Sequence, residues 1–208
     1  QSKLADAEAT YEEALQGLVE LLGEGHPSSL VARNNLGQIY EMSGLYDQAE
    51  PLLKQTVGLM ENILGEEHPD TLTVRNNLAL LYESQGNFRE AEPLYIKSRD
   101  LMIQVFGENH NNPTAVTNNL AYLYMLMEEY ERSAAMFEEV IQRWQGIFGP
   151  DHQNTLKATN NLGRVYKRQG ILDLAEENIS RALELRRAAL GPDHIDAIRS
   201  MIDLGGVY

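Results

Sequence analysis

Five histidines, His26, His68, His110, His152 and His194, stand 42 residues apart along the chain. Imidazoles in a regular series could bind a metal ion. Metal ligands must converge within a few ångströms, whereas neighbouring helix axes lie roughly 8–10 Å apart, and each period supplies one histidine. The series therefore reads as a structural residue of a repeated turn, and no cofactor is expected.

The second candidate is a row of doubled asparagines: Asn34-Asn35, Asn76-Asn77, Asn118-Asn119 and Asn160-Asn161. An amide carries both donors and an acceptor, so a ladder of amides can hold the backbone of an extended peptide whatever its side chains. On a helical wheel Asn34, Asn76, Asn118 and Asn160 point away from the apolar side, and the second members sit at its edge. Two uses stay open: the first of each pair holds ligand, or the amides bond within the stack and fix packing.

Positions beside the asparagines change from one copy to the next, and selectivity can reside there. Val31, Gln38, Glu41 and Met42 are followed by Thr73, Leu80, Glu83 and Ser84. The third copy has Ala115, Tyr122, Met125 and Leu126, and the fourth has Lys157, Arg164, Lys167 and Arg168. This face grades from mildly acidic, through apolar, to basic. An apolar patch beside four cations suits a peptide with a bulky hydrophobic anchor next to acidic residues, because the anchor loses water while the charges orient it. A solvated helix face is the competing reading.

These residues need elements to carry them, and the 42-residue period supplies those elements. Leu36 and Tyr40 return as Leu78 and Tyr82, Leu120 and Tyr124, and Leu162 and Tyr166; a fifth copy keeps Leu204, Gly205 and Tyr208. Each Gly-containing turn before a histidine stops one helix and starts the next. Ser43-Gly44, Gln85-Gly86 and Gln169-Gly170 then divide each period into two amphipathic helices. The expected organisation is a lone second helix over 1–22, repeats over 23–64, 65–106, 107–148 and 149–190, and a lone first helix within 191–208. Leu4, Ala7, Tyr11, Leu15, Leu18 and Leu22 form the stripe of the opening helix. Trp144 shares a stripe with Phe137, Val140, Ile141, Ile147 and Phe148, which places the only tryptophan in the core.

Composition narrows the function. The formal net charge of -14 argues against nucleic acid, which demands a dense basic surface. There is no cysteine, which fits the cytoplasm, and no apolar run of the roughly 20 residues that a membrane span needs. The start without Met reads as that of a fragment. No phosphate loop or nucleophile constellation is present, so an enzyme is not expected.

Leu78-Ala79, Tyr82, Gly86, Phe88 and Ala91 occupy the offsets at which the chain resembles the tetratricopeptide repeat. His68 to Leu72, Asn76 to Tyr82 and Ala91 to Tyr95, with the 42-residue period, are similar to the kinesin-light-chain type. The resemblance implies an all-α, right-handed superhelical solenoid whose first helices line a concave groove that holds peptides of partner proteins, in an adaptor or scaffold role. It also points to hydrophobic-plus-acidic peptides, as in kinesin light chain cargo recognition. The expected groove residues are Asn34, Asn76, Leu80, Asn118, Tyr122, Met125, Leu126, Lys157, Asn160, Arg164, Lys167 and Arg168.

Two other roles remain at this level. A self-assembly module would use Ile198, Met201, Ile202 and Leu204 of the last helix and the unmatched opening helix to make a homo-oligomer. A sensor arm of a larger signalling protein or enzyme is the other. Glu128, standing where other copies have Gly, predicts an irregular hairpin near 127–130.

Overall fold

The computed structural model describes the backbone of residues 2–208 and side chains from Asp6 onward; the expected core role of Leu4 lies outside the described side chains. Among the described residues there are ten α-helices and no strand. They divide into two compact units, 1–105 and 106–208.

The first unit holds α1 (Ser2–Leu22), α2 (Pro27–Met42), α3 (Tyr46–Leu64), α4 (Pro69–Ser84) and α5 (Phe88–Phe106), whose last residue belongs to the second unit. The second holds α6 (Asn111–Leu126), α7 (Tyr130–Phe148), α8 (Gln153–Gln169), α9 (Leu172–Leu190) and α10 (Ile195–Gly205). Sequence neighbours pack as hairpins: α2 on α3, α6 on α7 and α8 on α9. Within each unit a second helix also packs on the first helix of the next hairpin, as α1 on α2, α3 on α4, α7 on α8 and α9 on α10.

The five histidines have one local job. Each takes extended backbone geometry, and its Nδ1 accepts a hydrogen bond from the backbone N–H two residues on, at 3.1–3.2 Å. These are N-caps of α2, α4, α6, α8 and α10, satisfying an amide that the first turn leaves unpaired. Pro27 and Pro69 follow at the first helical position, where no donor is missed. Phe106 and Phe148 stack on His110 and His152, with ring centroids 4.8 and 4.3 Å apart, locking the cap to the preceding helix end.

Cores run between the two helix layers. In the second unit Phe137, Val140 and Trp144 of α7 pack with Ala121 and Met125 of α6 and Ala158, Leu162 and Val165 of α8. Trp144 is buried, and its indole N–H donates to Asn111 Oδ1 at 3.0 Å, which removes the cost of burying that donor. Where helices approach most closely there is no room for a side chain. A Cβ on Gly163 would stand 2.5 Å from Ile179 and 3.1 Å from the Ala175 carbonyl.

The irregular hairpin expected near 127–130 is not what the chain adopts. The turn makes the same three hydrogen bonds as 85–87: Met127 N to Leu123 O, Glu128 N to Met125 O and Glu129 N to Tyr124 O. Glu128 accepts the left-handed geometry of the glycine it replaces, with φ 64°, so the departure is stored in one residue and not in the helices. Glu128→Gly should raise stability by about 1 kcal/mol, the cost of holding a side chain in that region. Urea unfolding of the two proteins checks it, and an equal or lower midpoint for the variant would remove the strain argument.

Candidate functional site

First helices alternate with second helices along the chain, so their residues at matching positions form rows. Within the first unit Asn34 of α2 and Asn77 of α4 are joined, the Asn77 amide donating to Asn34 Oδ1 at 2.8 Å. Ser84 donates to Glu41 Oε1 at 2.6 Å farther along the same pair of helices. Leu80 is half-buried and Asn76 likewise.

The second unit carries the row Asn118, Tyr122 and Leu126 on α6 and the stripe Lys157, Asn161, Arg164 and Arg168 on α8. Tyr122 is half-buried against the core and Leu126 is exposed. The Arg164 guanidinium carbon lies 6.0 Å from the Tyr122 ring centroid, at the outer limit of a cation–π contact. Arg164 Nη1 donates to Asn161 Oδ1 at 3.4 Å, and its Nε is 3.9 Å from Asp203 Oδ1. A cleft of about 600 Å³ opens beside them, walled by Lys157, Asn160, Asn161, Arg164, Asp196 and Asp203 among others.

Several residues stand differently from their helical-wheel expectation. Asn118 and Asn160 do not point outward; they are 7% and 5% exposed. Asn160 donates to Asp203 Oδ2 at 2.7 Å and accepts from Ser200 Oγ at 2.8 Å, both on α10. A wheel of one helix assumes one buried side, but a first helix is flanked both by its own second helix and by the next first helix. Met125 is buried in the α6–α7–α8 core and is no surface floor. Lys167 is half-buried and lies across Gly206, where a Cβ would collide with its Nζ. Lys157 and Arg168 are exposed and have no ion-pair partner among the described residues.

Asn118 Oδ1 is buried with no hydrogen-bond partner, an acceptor held in the row without a donor. Such a group costs free energy until something donates to it. Asp203 is the residue that sequence reasoning missed. It occupies the position of the second asparagine in the fifth copy, so the Asn77-to-Asn34 pairing, shifted along the chain, becomes Asp203 with Asn160. Glu83, one of the changing positions named from the sequence, proves to be a buried carboxyl: burial and the nearby Glu41 push it up to about 7, while a 3.1 Å hydrogen bond from the Tyr95 hydroxyl works against the rise.

No helix is long and apolar enough to cross a membrane, among the described residues. No group of three His, Asp or Glu could hold a metal ion among those residues.

Helical hairpins repeated at fixed spacing, with first-helix rows of polar residues, define a helical-repeat protein. The chain belongs to the tetratricopeptide repeat family, whose model matches residues 1–62, 44–104, 70–115, 113–177 and 158–208. The fold is shared with a Podosopora anserina protein described as a kinesin light chain with nearly identical TPR-like repeats (24% identity, 88% of this chain, 87% of that chain, TM-score 0.76) and with a single-residue variant of that protein (24%, 88%, 86%, TM-score 0.77). BtubC (BKLC) from P. vanneervenii is similar over 99% of this chain and 81% of its own, at 22% identity and TM-score 0.79. The repeats are thus of the kinesin-light-chain type in fold, and repeats of this family form scaffolds for protein–protein interaction. No curated protein matches the chain in sequence.

Proposed function

We propose that the first-helix face of the second unit binds a peptide segment of a partner protein, with a bulky apolar residue set beside acidic ones. Lys157 and Arg168 carry this reading: two exposed cations with no ion-pair partner among the described residues, on the α8 stripe whose Arg164 lies 6.0 Å from the Tyr122 ring, in a chain of net charge -14. Charges already paired gain little from a ligand, whereas exposed cations orient an acidic one and exchange only water. Tyr122 and Leu126 receive the anchor. Asn118 Oδ1 accepts a peptide N–H, which satisfies its buried lone pair. Arg164 completes the clamp after leaving Asp203, and Asn160 supports the row through α10.

The roles of Met125 and Lys167 become indirect, one shaping the floor from below and the other bracing the last turn. Asn34, Asn76 and Leu80 belong to a separate first-helix face on the first unit. The repeat frame 23–64, 65–106, 107–148 and 149–190, flanked by half-repeats at 1–22 and 191–208, is the frame we adopt. The activity is binding without catalysis, in the manner of a cytoplasmic adaptor.

The test is fluorescence anisotropy with a labelled peptide bearing one tryptophan amid Asp and Glu, and a control peptide with Lys in their place. Arg164→Glu with Arg168→Glu should weaken the acidic peptide at least about tenfold, since a charge reversal at each of two contacts exceeds about 1.4 kcal/mol. Asp203→Asn should strengthen it by freeing Arg164. Equal affinity of the double variant and the parent would overturn the clamp.

A further inference from the structure

We infer that the cleft between α8, α9 and α10 is a binding site for a small free oxyanion, a phosphate or carboxylate group seated on the buried guanidinium of Arg186. The inference stands apart from the peptide reading above, since Arg186 lies on α9 and the anion needs no peptide.

Repeat register sets Arg186 apart. The same position of the preceding second helices holds Met60, Met102 and Trp144, all buried. In the fourth copy a permanent cation stands there, 7% exposed. Its Nη1 donates to the Asp196 carbonyl at 3.1 Å and to Ser200 Oγ at 2.6 Å. Its Nε and Nη2 have no hydrogen-bond partner, and the guanidinium has no ion-pair partner, among the described residues.

The other buried arginines are arranged differently. Arg33, Arg75 and Arg143 have side chains 8%, 1% and 10% exposed, and each holds a glutamate: Glu24 at 3.4 Å, Glu61 at 2.6 Å and Glu139 at 2.8 Å. A guanidinium taken out of water without a counterion is costly, so buried charges are as a rule paired. Burial accordingly holds Arg186 below the ordinary arginine range, although Asp196 and Asp203 act in the other direction. Both carboxylates are engaged elsewhere. Asp196 faces Arg199 at 3.5 Å and His194 at 3.7 Å, and Asp203 accepts from Asn160 at 2.7 Å.

Space for the missing counterion lies beside the guanidinium. Arg186 lines the cleft of about 600 Å³ together with Lys157 and Arg199, both exposed. Room arises because Arg186 and Ala189 stand where the preceding copy has the larger Trp144 and Ile147. The α10 wall is the side that Asn160 holds through Asp203 and Ser200, so the cleft is enclosed between neighbouring first helices. Two N–H groups of one guanidinium form a fork that matches two oxygens of a carboxylate or phosphate. Lys157 adds charge at the mouth. Asp151, Asp196 and Asp203 on the walls limit the charge that the cleft accepts, so a single anionic group fits and a polyanion is repelled.

Thermal unfolding in sodium chloride, sodium phosphate and sodium acetate, at neutral pH and equal ionic strength, tests this on the parent, Arg186→Met and Lys157→Gln. Methionine is the residue of two other copies at this position, so the first variant keeps the core filled, and Lys157 is exposed; circular dichroism checks both folds. Phosphate or acetate should raise the parent's midpoint along a saturating curve, and the anion that does so identifies the group. Affinity should fall at least about tenfold in Arg186→Met, the loss of a charge-assisted pair, and by a smaller factor in Lys157→Gln. The general salt effect of phosphate acts on all three proteins alike and drops out of the comparison. No saturating gain in the parent with either anion, or a gain undiminished in either variant, would overturn the proposal.

Discussion

Phe137→Ala should cost about 4 kcal/mol of stability, the middle of the range for truncating a buried aromatic. Phe137 is wholly buried at the centre of the α6–α7–α8 core, between Ala121 and Met125 on one side and Ala158 and Leu162 on the other. Small residues on the flanking helices cannot extend into the space that the ring vacates, so the cavity persists. Trp144 lies in the same cluster and is the only tryptophan, which makes its fluorescence a local reporter. The expected result is a lower urea midpoint and an emission that reddens earlier than in the parent. In a repeat array contacts run mainly between neighbours, so the loss falls on the second unit. A loss below about 1.5 kcal/mol would mean that the site collapses around the truncation, against the packing described.

The second large effect concerns pH. Glu83 titrates near 7 in the folded chain against 4.5 for an ordinary Glu, because burial outweighs the Tyr95 hydrogen bond and Glu41 adds repulsion. The native state therefore keeps a proton that the unfolded chain releases between those values. Stability contributed by this group is fully present below 4.5 and declines as pH rises through about 7. The interval corresponds to a loss of about 3 kcal/mol as an upper bound. Glu83→Gln keeps an acceptor for the Tyr95 hydroxyl and removes the ionisation. The variant should gain on the parent as pH increases from 4.5 to about 8, read from urea midpoints of both proteins at each pH. Parallel profiles would show that Glu83 ionises freely.

The stack-building residues were legible because their requirements are local and periodic. Leu36, Tyr40 and their copies repeat the same demand in each copy, and His-capped starts and glycine stops bracket every helix. Trp144 was placed in the core by its stripe alone. Errors arose where a residue answers to a second neighbour. Asn118 and Asn160 look outward on an isolated helix, yet both are buried, and Asn160 bonds Asp203 and Ser200 of the adjoining first helix. Met125 was assigned to the surface for the same reason, since α7 and α8 both reach it.

Glu128 shows the opposite case. The sequence departs from its own pattern there, and the backbone does not, because the surrounding turn bonds outweigh the strain of one left-handed residue. The cations of α8 were visible as a group, but which of them are available was not. Arg164 has Asp203 and Asn161 beside it, Lys167 is turned toward the last turn, and Lys157 and Arg168 remain exposed.

By itself the sequence determined an all-α chain of helical hairpins, their caps and turns, and the apolar stripes between them, since each depends on spacing within one period. The tertiary structure decided which amides are consumed by the stack and which acceptor is left without a donor. It also decided which cations keep their charge available. Those outcomes depend on partners about one period away, brought into contact only when one hairpin packs on the next.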